Sequence, residues 1–117
     1  VNEDGDLVPQ HFMQLSNPAM RTPSSQTYTL LEGDTYVELT NSNVNVQLPS
    51  DEDIWKGKMV YIKLVNDDEV DLVPLTGTTI DGRSSSLTVS GTANGLALQL
   101  IMNDSGDWKI ISKFEGI

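Results

Sequence analysis

Cysteine is absent from this 117-residue chain, and histidine occurs once, at His11. No disulfide framework and no thiolate metal site can therefore form, and one imidazole cannot build a histidine-rich metal centre. Basic residues are also scarce: seven Lys and Arg stand against seventeen Asp and Glu, a formal charge of −10. A surface of that sign opposes phosphate backbones and anionic lipid, so nucleic acid is not expected as a partner. No apolar run approaches the length that spans a bilayer, and membrane insertion is not expected of this domain. The first residues, Val1-Asn2-Glu3-Asp4-Gly5-Asp6, are acidic where a secretory signal would be basic, and the whole chain reads as soluble. Long helical periodicity is missing too. What remains is a chain of short, alternating apolar segments.

At this length one domain with its own core is expected, together with a tail. Residues 1–25 carry Pro9, Pro18 and Pro23 and a short apolar patch at Leu7, Val8, Phe12, Met13 and Leu15. They read as an N-terminal arm or linker, and residues 26–117 as the folded domain. From Gln26 the period is two: Tyr28 and Leu30, then Val37 and Leu39, then Val44, Val46 and Leu48 up to Pro49. Further strands are expected at Val70 to Leu75, Thr79-Ile80, Leu87 to Val89 and Trp108 to Phe114. With Met59 to Val65 and Leu96 to Met102, about eight or nine strands recur at the spacing of sandwiches and barrels. Turn chemistry agrees. Asp81-Gly82 and Asn94-Gly95 tolerate the positive φ of tight turns, and Asn103-Asp104-Ser105-Gly106-Asp107 suits a longer hairpin. One helical turn is expected over Ser50 to Trp55, with Ser50 as cap and three carboxylates at its N-terminal end.

The order of these elements carries further information. Val44-x-Val46-x-Leu48-Pro49 is followed by Gly57-Lys58-x-Val60-x-Ile62, by Thr79-Ile80-Asp81-Gly82, by Gly91, by Leu98-x-Leu100 and finally by Gly106-Asp107-Trp108-x-Ile110. This succession, over about residues 44–112, resembles a pattern common in bacteriophage fibre and tail-tip domains. The resemblance implies an all-β, jelly-roll-like (TNF-like) antiparallel sandwich assembled as a homotrimer. Such a knob would cap a tail needle or fibre shaft of the virion and meet a component or glycan of the host cell envelope. The acidic insert Asp51-Glu52-Asp53 and the bulky Trp55 depart from the pattern, and residues 1–43 do not follow it in detail.

Two strands, Met59 to Val65 and Leu96 to Met102, are apolar on both faces and should lie in the middle of the protein. Val60, Ile62, Leu64, Leu96, Leu98 and Leu100 form the stronger stripe and suit the core. Met59, Tyr61, Ala97, Gln99 and Ile101 form a mixed second face that no helix is available to cover. That face suits a subunit interface, with Tyr61, Gln99 and Ile101 near a common axis.

Catalytic signals are weak. Asp104-Ser105-Gly106 matches the triplet of aspartic proteases, yet Asn103 and Asp107 flank it where an apolar strand should lead in, so a hairpin tip is expected. The carboxylate clusters Glu3-Asp4-x-Asp6, Asp51-Glu52-Asp53 and Asp67-Asp68-Glu69 lack the loop spacing of a calcium site and are expected to be solvated. No cofactor, metal or catalytic residue is assigned, and the domain reads as non-enzymatic. Trp108 alternates with Ile110 and suits the core, whereas Trp55, beside Asp51, Asp53 and Lys56, is compatible with stacking on a sugar. Trp55, Asp51 and Asp53 are therefore a candidate ligand surface. A monomeric carbohydrate-binding module of a larger secreted enzyme is the alternative function.

Overall fold

The computed structural model of the chain describes residues 19–23, 26–91 and 95–115. The apolar patch of the arm, His11, the cluster at Glu3 to Asp6 and Asn94 of the Asn94-Gly95 turn lie outside the described residues. The described residues form ten strands and one helical turn. In chain order these are β1 (Ala19–Arg21), β2 (Thr27–Thr29), β3 (Asp34–Leu39), β4 (Val44–Leu48), α1 (Glu52–Trp55), β5 (Met59–Leu64), β6 (Glu69–Pro74), β7 (Thr79–Ile80), β8 (Leu87–Ser90), β9 (Ala97–Met102) and β10 (Asp107–Phe114). Nine of the strands fall where alternation predicts them. The tenth, β1, lies within the stretch expected as an arm and pairs with β3.

Two sheets face each other as a sandwich: a six-stranded one in the order β1-β3-β5-β9-β10-β7, and a four-stranded one in the order β2-β4-β6-β8. The all-β, two-sheet character expected from the sequence is thus present. The expected antiparallel pairing is not. Among the described residues five of the eight ladders are parallel, and only β5 with β9, β9 with β10 and β6 with β8 run antiparallel. The first six strands alternate between the sheets, so that β1, β3 and β5 lie side by side in one and β2, β4 and β6 in the other. Each strand of the opposite sheet serves as the crossover that a parallel pair requires. The chain therefore coils, placing Val37 beside Ile62 and Val44 beside Val70. A turn that arches over to the other sheet and a turn that folds back as a hairpin both need residues tolerant of positive φ. Asn43, at φ 59°, does the first, and the Asp81-Gly82 pair, at 46° and 83°, does the second. Period and turn composition are alike in the two cases, which is why pairing direction is not legible from them.

The core fills the space between the sheets. In β4 the odd positions Val44, Val46 and Leu48 are buried and Asn45 and Gln47 are not, the alternation of a strand with one face on the core. Val60, Ile62, Leu64, Leu96, Leu98 and Leu100, the stripe assigned to the core, are all buried. Their strands β5 and β9 are adjacent at the centre of the six-stranded sheet, as expected of segments apolar on both faces. One end of the core is closed by α1. Asp51, not Ser50, caps it, accepting a hydrogen bond from the Asp53 amide at 3.0 Å. Glu52 reaches Lys56 one turn on at 3.3 Å.

Candidate functional site: the outer face of the six-stranded sheet

Strand register sets out this face row by row. Tyr36 of β3 lies beside Tyr61 of β5, which lies beside Gln99 of β9, which lies beside Ser112 of β10. A second row runs Glu38, Lys63, Ala97 and Phe114, and a third runs Met59, Ile101 and Lys109. The rows face outward because their neighbours in each strand face the core: Val60 and Ile62 in β5, Leu98 and Leu100 in β9. Apolar side chains are left in solvent as a result. Met59 is 40 % exposed, Tyr61 47 %, Ile111 49 % and Phe114 65 %.

Lateral hydrogen bonds order the centre of the face. Gln99 donates through Nε2 to the Tyr61 hydroxyl at 3.0 Å and to the Met59 sulfur at 2.7 Å, and its Oε1 accepts from the Ser112 hydroxyl at 3.0 Å. The sequence candidates Tyr61 and Gln99 are therefore in direct contact, and Ile101 sits one row away beside Met59. At the β3 side the Tyr36 hydroxyl donates to Glu38 at 3.0 Å, and Tyr36 is pushed above the ordinary tyrosine value by partial burial, by that bond and by the Glu38 charge. Sequence reasoning missed Tyr36, although its alternation with Val37 marks it as outward. It also missed Ile111 and Phe114, whose orientation depends on pairing.

The opposite face of the molecule is different in kind. On the four-stranded sheet the outward residues are Thr27 and Thr29, Asn45 and Gln47, Glu69, Asp71 and Val73, and Thr88 and Ser90. They bond to one another across strands, Thr29 to Gln47 and Thr88 to Asp71, each at 2.5 Å.

The candidate ligand surface at Trp55 does not hold. Trp55 is buried at 2 % exposure, its ring 5.5 Å from that of Trp108 and tilted by 54°. The helical turn explains this: it presents Asp51, Glu52 and Asp53 to solvent and swings Trp55 under the sheet, where transfer of an indole out of water outweighs any exposed role. Asp51 and Asp53 remain exposed without the aromatic platform, and Asp51 is occupied as the cap. Trp108 is fully buried, as expected, with its indole N–H donating to the Pro49 carbonyl at 2.9 Å.

Asp104 is exposed at the tip of the β9–β10 hairpin. The Asn103 side chain organises that tip by accepting from the Ser105 and Asp107 amides at 2.9 and 3.0 Å. Gly106 takes φ 80° there, and a Cβ on it would lie 2.7 Å from a Glu52 carboxylate oxygen. The cluster Asp67-Asp68-Glu69 departs from the expectation of a solvated loop tip. Asp67 and Asp68 are half-buried, and Asp67 accepts from the Asn43 amide at 2.8 Å, tying two arches together. Among the described residues no three His, Cys, Asp or Glu are grouped as a metal site would need, and no helix is long and apolar enough to cross a membrane.

Two buried carboxylates are fully engaged. Asp34 meets the Arg21 guanidinium, accepts the Tyr28 hydroxyl at 2.5 Å and the Leu31 amide at 2.9 Å, and so pins β1 to the turn before β3. Burial first, and then the bond to Asp34, push Tyr28 well above the ordinary tyrosine range. Asp107 accepts from Thr79 at 2.5 Å, from the Gly82 amide at 3.1 Å and from Lys109 at 2.7 Å. Burial alone would raise Asp107, but these donors outweigh it and hold the carboxyl below its usual value. Both sets join separate strands, which is work enough for a buried charge. Compared with known proteins, the chain matches no family model and no curated sequence.

Proposed function

We propose that this domain is a non-enzymatic structural part of a virion, the distal knob of a trimeric phage tail needle or fibre, which caps the shaft and meets the host envelope. The observation that carries the reading is the apolar outer face centred on β5 and β9, with Met59 and Tyr61 open to solvent and Ile101 beside them. Exposed apolar side chains grouped on one sheet face suit a contact with another macromolecule, and the resemblance of about residues 44–112 to bacteriophage fibre and tail-tip domains implies that the partner is a copy of the same chain. The jelly-roll-like form of the knob belongs to this proposal, with mixed rather than purely antiparallel pairing. Tyr61, Gln99 and Ile101 are its interface residues.

The carbohydrate-binding alternative loses its platform with the burial of Trp55 and would have to use Tyr36 and Tyr61 instead. Sedimentation equilibrium separates the two readings. A particle of three times the 12.8 kDa chain mass is expected. A monomer at every accessible concentration, with saturable binding of a neutral glycan that is lost in Tyr61→Ala, would replace the knob by the binding module.

A further inference from the structure

The edge strand β1 is held differently from the strands inside its sheet. It is three residues long, it bonds to one neighbour, β3, and its register slips between Ala19 and Met20. So short a ladder opens easily on its own. What supplements it is the ion pair of Arg21 with Asp34, whose two ends lie in unlike surroundings: the Arg21 side chain is 41 % exposed and that of Asp34 is fully buried. Beside the pair a hollow of about 440 Å³, lined by Arg21, Thr22, Pro23, Tyr28 and Leu31, leaves the guanidinium open to solvent. The other partners of Asp34 come from its own side of the junction. Tyr28 donates from β2 and the Leu31 amide from the turn, and the Asp34 amide returns a bond to the Leu31 carbonyl at 2.9 Å. Departure of Arg21 would therefore leave the carboxylate with two donors and the turn closed, so the buried charge is not orphaned. The pair can open without taking β2 or β3 with it.

We propose that β1 is a releasable strap and that the Arg21–Asp34 pair is its latch: when the pair parts, β1 leaves the edge of β3 while the two sheets stay folded. This strand joins the chain that precedes Ala19 to the sandwich, so tension arriving from that side is borne by the latch before it reaches the strands that carry the core. Release uncovers the edge of β3 from Asp34 to Val37, the length that β1 covers. The opposite edge of the sheet is tied in another way. There β7 is shorter still, but both its ends continue into the fold, and Asp107 holds it through the Thr79 hydroxyl and holds the turn after it through the Gly82 amide. The inference does not rest on self-assembly and applies to a monomer as to a trimer.

Native-state hydrogen exchange on the whole chain tests it. In the wild type, amides of β1 are expected to exchange through an opening that hardly responds to low guanidinium chloride, whereas amides of β5 and β9 follow global unfolding. Arg21→Gln removes the charge and leaves Asp34, Tyr28 and the turn in place. It is expected to speed exchange in β1 about tenfold and to leave β5 and β9 within about twofold of the wild type. Wild-type β1 amides that exchange with the rate and denaturant dependence of β5 and β9 would overturn the strap, whether or not the variant folds. Unchanged exchange in β1 of Arg21→Gln, or an equal acceleration in all three strands, would overturn the latch.

Discussion

On the four-stranded sheet every outward position of β2, β4 and β8 is Thr, Asn, Gln or Ser, whereas outward positions of β5 and β9 in the six-stranded sheet hold Met59, Tyr61, Ala97 and Ile101. Both sheets contribute to one core, and their inward faces are alike in composition: Val46, Leu48 and Leu72 from one, Ile62, Leu98 and Leu100 from the other. The difference therefore lies in the outward faces alone. A sheet face meant for water is built from short polar side chains that satisfy each other laterally, as Thr29 with Gln47 and Thr88 with Asp71 do. The face where a methionine sulfur and a tyrosine hydroxyl bond with one glutamine, beside exposed apolar side chains, is the one proposed above as the subunit contact.

The comparison is sharpest on one strand, because β9 places Leu100 and Ile101 on opposite faces of the same sheet. Leu100→Ala empties part of the shared core and should cost about 2–5 kcal/mol in thermal or denaturant unfolding, whatever the state of assembly. Ile101→Lys should act on the other side only. It is expected to weaken association by about 2 kcal/mol or more per contact, read by sedimentation, while the melting temperature of the dissociated chain stays close to that of the wild type. If Ile101→Lys unfolded the monomer as Leu100→Ala does, the outer face would be core after all.

Asp107 tests whether the end of the six-stranded sheet is held by its buried charge. Asp107→Asn should cost about 1–3 kcal/mol at neutral pH, because the donors from Thr79, Gly82 and Lys109 lose a carboxylate. The pH dependence has a definite sign. A carboxyl held below its ordinary value of 3.8 contributes stability that is fully present above that value and is lost as the pH falls through its depressed one. Wild type should therefore lose stability in acid, below about pH 4, more steeply than Asp107→Asn. Equal slopes in that window would remove the carboxylate from the account. The smallest effect belongs to the polar face. Val73→Lys is expected to shift stability by no more than about 0.5 kcal/mol and to leave assembly unchanged, so a loss of assembly would show that the interface lies on the wrong sheet here.

Strand positions, the identity of the core stripe, the central place of β5 and β9, the Asp81-Gly82 turn and the hairpin at Asn103 to Asp107 were all legible in residue order. Each depends on near neighbours: alternation selects the buried side, and a turn dipeptide tolerates its own φ. The mixed face with Tyr61, Gln99 and Ile101 was legible for the same reason. Trp55 was not. Whether a residue in one helical turn points to solvent or under a sheet depends on where that turn is anchored, and the Trp108 ring that receives it is far along the chain. Tyr36 joined the site only when β3 paired with β5, and Phe114 only when the bulge shifted its row. Pairing direction belongs to the same class, since an arch and a hairpin share their turn residues. The sequence by itself thus determined which side chains leave water, through a period of two that every strand carries locally. Only the tertiary structure decided which strands lie side by side, because that choice is made by contacts between segments distant in the chain.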